Sequence, residues 1–292
     1  MKNRNGSVIG NILINIFMIL TSIGCIIPFL IVISASFTDE RSIIENGYFI
    51  YPRVFSILAY RYILGDPTQI LQAYGVTIFI TAAGTILSLL VSSCFAYVLS
   101  RKDFPYRGKM SLFLFITMLF NGGLVPTYIL VAQVLHLKNT LLSLILPYLI
   151  IPFFVLLLRT YFSEIPFSLI ESAKIEGANE MIILFKVVIP LSLPAIATVG
   201  LFIVLMYWND WWLALLYIDD SKLNPLQYLL YLIMQNLNAM RLVPQQGMIK
   251  QQLPGENARM AMAVLAIGPI IFAFMFVQKY FVSGLTVGAI KG

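Results

Sequence analysis

Residues 162–190 read FSEIPFSLIESAKIEGANEMIILFKVVIP, and this stretch decides how the rest of the chain is read. It gathers Glu164, Glu171, Lys174, Glu176, Glu180 and Lys186 in a chain of 292 residues of which only 11% are charged. On either side the sequence turns continuously apolar, over Thr140–Tyr161 before it and Leu191–Ile218 after it. A soluble domain carries about 25% charged residues. With 60% apolar residues and a mean hydropathy of +0.89, there is too little polar surface to solvate a globule. The same composition excludes disorder.

An apolar run of about 20 residues is long enough to cross roughly 30 Å of hydrocarbon as a helix. Six such runs occur, at about 8–37, 74–100, 110–135, 140–161, 191–218 and 260–281. They are continuous rather than alternating, which favours helices over barrel strands. The expectation is an all-α polytopic membrane protein of six transmembrane helices, forming a single domain over residues 1–292. Lys2 and Arg4 resemble the start of a signal peptide, but the run behind them is far longer than the usual 7–15 residues, so it reads as a retained helix. With the N-terminus inside, the inner segments hold eleven basic and five acidic residues and the outer segments eight of each. The net charge of +6 therefore falls on the inner side. Arg101, Lys102, Arg107 and Lys109 in one short loop weigh most in that orientation. Both termini are then cytoplasmic, in a multi-pass protein of the cell membrane, and the charge does not point to nucleic acid. Outer loops at about 38–72 and 219–258 read as ordered caps. Cys25 and Cys94, with no C-x-x-C, read as buried free thiols. His136 reads as a short-loop residue rather than a metal ligand.

Within 162–190, Ser168 and Glu171 fit a capping box with Ser168 as N-cap, and Glu171 and Lys174 can pair at i,i+3. Gly177 sits where a helix would end with a left-handed residue. Asn179 can cap a second helix running toward Pro190. Short amphipathic helices of this kind suit a groove on a soluble partner or the membrane surface.

The spacing also resembles the EAA loop of ABC importer permeases. Glu171-Ser172-Ala173, three residues, Gly177, nine residues, then Val187-Val188-Ile189-Pro190 follows that family's E-A-A, three residues, G, nine residues, I-x-L-P. Ser172, Val187 and Ile189 are mild departures. Leu191-Ser192-Leu193-Pro194 and the closing Gly284-Leu285-Thr286-Val287-Gly288-Ala289-Ile290-Lys291-Gly292 resemble the maltose-type, MalG-like carbohydrate permeases. The stretches 120–128 and 208–212 resemble the oligosaccharide-importing LplC/YtcP-like subgroup. The resemblance implies one permease domain, paired with a second permease subunit in a heterodimer, two ATPase subunits on the inner face and an extracytoplasmic substrate-binding protein. It implies ATPase coupling through Glu171, Ser172, Ala173, Glu176, Gly177 and Pro190. It also implies a C-terminal tail near the ATPases at Gly288, Lys291 and Gly292. ATP and Mg would be bound by the partner ATPases, since the chain lacks G-x-x-x-x-G-K-[ST] and needs no cofactor of its own. Nothing in the chain resembles a catalytic triad or paired carboxylates, so the subunit itself is expected to be non-catalytic.

Aromatic rings match the apolar faces of sugars, and Asn and Asp match their hydroxyls. Tyr207, Trp208, Asn209, Asp210 and Trp211, with Asn121 beside Gly122 and Gly123, are therefore the candidate substrate pathway. An interfacial aromatic belt is the plainer alternative for the tryptophans, and a helix break for Asn121. Oligosaccharides are the expected cargo, with a simple sugar or polyol as the alternative. An ion-coupled secondary transporter would need midplane carboxylates and repeats; only Asp210 approaches that.

Overall fold

A computed structural model describes residues 4–242 and 255–271. These residues are helical, with no β-strand longer than the isolated Thr38–Phe55 bridge. They fall into two compact units, one of residues 4–67, 230–242 and 255–268, the other of residues 68–229 and 269–271.

The first unit opens with α1, Arg4–Ser36. The most apolar window within its Ile12–Ser36 stretch has mean hydropathy 2.8 and no buried residue. Thr21 and Ser22 donate to the carbonyls of Phe17 and Met18, four residues back, so their hydroxyls are satisfied inside the helix. Cys25 is exposed on this helix among the described residues rather than buried. After it come α2, Glu40–Asn46, and α3, Leu58–Ile63. Asp39 caps α2 by accepting from the Arg41 N–H at 3.0 Å. The Phe37 ring stacks with Tyr60 at 4.8 Å and with Phe55 at 5.8 Å. The 38–72 segment is thus ordered, as the sequence suggested.

The second unit is built on α4, Pro67–Ser100, the longest helix of the described residues. The runs that follow are not unbroken spans. The third divides into α5, Arg107–Leu119, and α6, Leu124–Tyr128, with α6 continued by a wider π-turn over Ile129–Val134. The two halves meet at 112°. Gly123, at φ +88°, makes that reversal possible. The fourth divides into α7, Leu142–Ile145 with a 3-10 turn to Tyr148, and α8, Pro152–Ser163, at 51°. Pro152 begins α8 and holds Ile151 extended. His136 and Asn139 lie in the turn between these runs with left-handed backbones. The charged stretch forms α9, Phe167–Ile175, and α10, Glu180–Ile183. A π-turn at Leu184–Val188 leads to α11, Ile189–Leu191. The chain then bends 86° into α12, Leu193–Asn209, breaks at Asp210–Trp211, and resumes as α13, Trp212–Tyr217. Ala96, Tyr97, Leu99, Leu158, Phe162, Ile170, Ile183, Val199 and Tyr207 lie in the core of this unit.

Next is α14, Leu226–Leu242, which lies inside the 219–258 segment and gives that cap a helical core. A further helix, α15, covers 256–271 of the described residues. Its first N–H groups are capped by a buried carboxylate: Glu40 accepts from Gly255 at 3.0 Å, Glu256 at 3.0 Å and Asn257 at 3.1 Å. Only the first part of the 260–281 run is described. Among the described residues two helices are long and apolar enough to cross a membrane by themselves, and up to five spans result if each bent pair is one crossing.

Candidate coupling site

Pro166 takes an extended backbone and α9 starts at the next residue, with no side-chain cap. Ser168 therefore lies inside the first turn, and the expected capping box with Glu171 does not form. The Ser168 carbonyl instead accepts from the Ser172 hydroxyl at 2.9 Å. The far end closes as the sequence predicts. Gly177 has φ +85°; its N–H reaches the Lys174 carbonyl at 3.0 Å, and the Ala178 N–H reaches the Ala173 carbonyl at 2.9 Å. These are the two bonds of a Schellman motif. A Cβ on Gly177 would meet open space, so backbone handedness alone demands glycine there. Asn179 caps α10 by accepting from the Ile182 N–H at 2.8 Å.

The helix has two faces. Ile170 is buried and Ala173 packs against the same core. Glu171, Ser172, Ile175, Glu176 and Gly177 are exposed. Ile175 is 87% exposed, more than any other large apolar side chain among the described residues. Sequence reasoning passed over it, because one more isoleucine in an oily chain carries no signal. Pro190 is exposed at the start of α11. Gly288, Lys291 and Gly292 lie outside the described residues.

Lys174 does not pair with Glu171. Its Nζ stands 2.9 Å from Glu180 Oε1 and 3.6 Å from Asp103 Oδ2. Arg101, at the end of α4, binds both oxygens of Asp103, at 3.0 and 2.7 Å, and stands 3.7 Å from Glu180. The Tyr97 hydroxyl donates to Glu180. The Arg101 bond holds the Asp103 carboxyl below its ordinary range, against a smaller opposing effect of burial. Burial alone would push Glu180 up, but the bonds from Lys174 and Tyr97 and the charge of Arg101 prevail, and its net shift is downward.

At the end of α12 the candidate pathway residues separate into two roles. Tyr207 and Trp208 are buried. The Tyr207 hydroxyl donates to the Ile145 carbonyl at 2.8 Å, and its ring covers Gly84 of α4, where an added Cβ would come within 2.5 Å of Cζ. Asn209, Trp211 and Trp212 are exposed and Asp210 is half-buried. Asp210 accepts from the Tyr148 hydroxyl at 3.0 Å and from the Leu213 N–H at 3.1 Å. Asn209 meets Gln227 at 3.4 Å, and the two tryptophan rings stand edge to face at 5.7 Å. Tyr148 and Gln227 carry no local motif and could not be found from spacing. Asn121 has a turn role, its side chain accepting from the Gly123 N–H at 2.9 Å.

A helical fold of apolar, repeatedly bent helices, joined by an anchored and capped polar loop, fits a membrane-spanning subunit. No family model matches the chain. Over its whole length it is 39% identical to the polygalacturonan/rhamnogalacturonan transport system permease protein YtcP of Bacillus subtilis, and covers all of that protein. Protein LplC of the same organism is 38% identical over 91% of this chain and 90% of its own. A chain in the crystal structure of a bacterial ABC transporter involved in the import of the acidic polysaccharide alginate matches with a TM-score of 0.76. It is 27% identical, covering 96% of this chain and 99% of that one. The chain belongs to the permease subunits of ABC importers for sugars and oligosaccharides.

Proposed function

We propose that this chain imports oligosaccharides across the cell membrane by alternating access, as one of two permease subunits in a heterodimer. In this reading the protein is a single permease domain of six crossings with both termini cytoplasmic. A binding protein delivers cargo to the outer face, and two ATPase subunits bind ATP and Mg on the inner face. The observation that carries the reading is α9 with its closing turn. Ile170 and Ala173 anchor the helix to the core, while Glu171, Ile175 and Glu176 project outward. A helix fixed on one side and bare on the other passes on a push from a docked partner. An exposed isoleucine among carboxylates suits a cleft with an apolar floor and basic rim. The ends of α12 and α13 supply the sugar-facing groups, with Asn209 and Asp210 for hydroxyls and Trp211 for a ring face.

YtcP is named for a pectic polymer and the solved importer for alginate, so acidic oligosaccharides head the substrate panel. The test is co-expression with the neighbouring permease, ATPase and binding-protein genes. ATPase stimulation is then measured over pectic, alginate and neutral oligosaccharides. Ile175→Asp should abolish retention of the ATPases while leaving the chain in the membrane. Retention at the parental level would refute docking through this face, and a lack of stimulation by any glycan would refute the cargo.

A further inference from the structure

Arg101 is only 6% exposed, and its single guanidinium touches four pieces of the second unit. Besides its two bonds to Asp103 in the turn after α4, its Cζ lies 5.8 Å from the ring centroid of Tyr97 on α4 and 5.6 Å from that of Phe167, the first residue of α9. Glu180, the first residue of α10, is 3.7 Å away. Lys174, near the end of α9, closes the ring through Glu180 and Asp103. Two cations and two anions balance without an outside ion. Arg101 is the buried member, while the side chains of Asp103, Lys174 and Glu180 are about half exposed, and ion pairs so placed add little net stability. Such a cluster therefore fixes one arrangement more than it strengthens the fold. Four of these residues, Tyr97, Arg101, Asp103 and Glu180, line an open pocket of about 350 Å³ between α4 and α10, together with the apolar Cys94, Val98, Met181 and Leu184. Apolar packing between these helices is incomplete there, and the polar ring holds the rim.

The two ends of this connection matter. From α10 the chain runs through α11 into α12, so the loop is tied to α12 covalently. Its tie to α4 is through space. α4 runs unbroken from Arg101 back past Gly84, which the Tyr207 ring covers, three residues before Asp210. We infer that Tyr97, Arg101, Asp103, Lys174 and Glu180 form a latch that makes α4 follow the ATPase-docking loop, so that opening the latch lets the ATPases turn over without moving sugar. The inference rests on the coupling role given to α9 above. The five residues act as positioning groups: they touch neither ATP nor cargo.

The test uses the assembled transporter in proteoliposomes, in a Cys25→Ser background, with an alginate and pectin digest as cargo. Three quantities are read per assembled complex: ATP hydrolysis, uptake, and alkylation of Cys94 by a membrane-impermeant maleimide applied on the ATPase side. Lys174→Ala and Glu180→Gln remove ring contacts at half-exposed positions, and Tyr97→Phe removes only a hydroxyl. Each should keep hydrolysis within about twofold of the parent and lower uptake per ATP several-fold, since a half-exposed charged contact contributes up to about 1 kcal/mol. Cys94 should be alkylated several-fold faster, and Lys174→Arg should restore both readouts. Unchanged uptake per ATP in all three variants, or uptake and hydrolysis falling in step, overturns the latch. A parent complex that transports none of the digest overturns the importer reading beneath it.

Discussion

Gly84→Ala probes the closest approach of two helices in the second unit. A methyl group at this position of α4 would lie 2.5, 2.7 and 2.8 Å from Cζ, Cε2 and Cε1 of Tyr207 on α12. Carbon atoms in contact ordinarily keep about 3.5–4.0 Å, so the ring must retreat by about 1 Å. It has little freedom to do so. Tyr207 is 1% exposed, its hydroxyl is held by the Ile145 carbonyl at 2.8 Å, and its ring stands edge to face with Tyr148 at 6.0 Å. Overpacking of this kind costs about 1–3 kcal/mol, and a lost hydrogen bond adds about 1 kcal/mol. The expected destabilisation is about 2–4 kcal/mol, read as loss of folded protein on heating or on titration with a denaturing detergent. Tyr207→Leu removes the obstructing ring, so the Gly84→Ala/Tyr207→Leu double variant should lose less than the sum of the singles, by about 1 kcal/mol or more. A Gly84→Ala shift under about 0.5 kcal/mol, or simple additivity in the double variant, would show that α4 and α12 do not meet through this glycine.

Three further outcomes follow from the geometry. Gly177→Pro cannot adopt φ +85° and should abolish uptake while membrane insertion, followed by fractionation, stays normal; Gly177→Asn, which tolerates a left-handed backbone, should retain part of the activity. Glu40→Ala removes the acceptor of the Glu256 and Asn257 N–H groups and one of the two acceptors of the Gly255 N–H and should cost about 3 kcal/mol or more, since hydrogen bonds to a charged group contribute about 1.5–3 kcal/mol each; a thermal midpoint equal to the parent's would contradict that cap. Asp103 and Glu180 are shifted below their ordinary values of 3.8 and 4.5. Their contribution is thus full above those values and lost as pH falls through the lowered folded-state ones, so Cys94 alkylation, divided at each pH by that of a free thiol because the thiolate is the reacting form, should stay level around neutrality and rise only on acidification below the ordinary carboxylate values.

Much of this was legible locally. The Schellman end at Gly177 and the cap at Asn179 depend on backbone conformation and residue type within a few positions, and both were read from the sequence. The break beside Gly122 and Gly123 was one of two readings, and the structure shows that break. The capping box failed because Pro166 supplies the extended residue before α9 and shifts the start by two positions, which turns Ser168 from a cap into a first-turn residue. The Glu171–Lys174 pair failed because Lys174 finds Glu180 across the closing turn and Asp103 in the loop after α4. Tyr97 and Glu180 are 83 residues apart, and no local spacing rule reaches that far. Cys25 differs for another reason: an apolar run marks a helix but does not say what surrounds it, and among the described residues Cys25 is exposed on α1. Tyr207 and Asp210 show the same limit at the substrate end. Both looked like sugar-facing groups, and only packing separates the buried ring from the half-exposed carboxylate.

The central claim is that this chain couples a partner's ATP hydrolysis to glycan import through α9. Its most direct measurement is uptake per ATP in a reconstituted complex of this chain, the second permease, the two ATPases and the binding protein, with and without Ile175→Asp. The account predicts glycan-stimulated hydrolysis and uptake with the parent chain, and loss of both together with the ATPases for the variant. Uptake that persists without ATP, or a variant that retains its ATPases and transports normally, would contradict it.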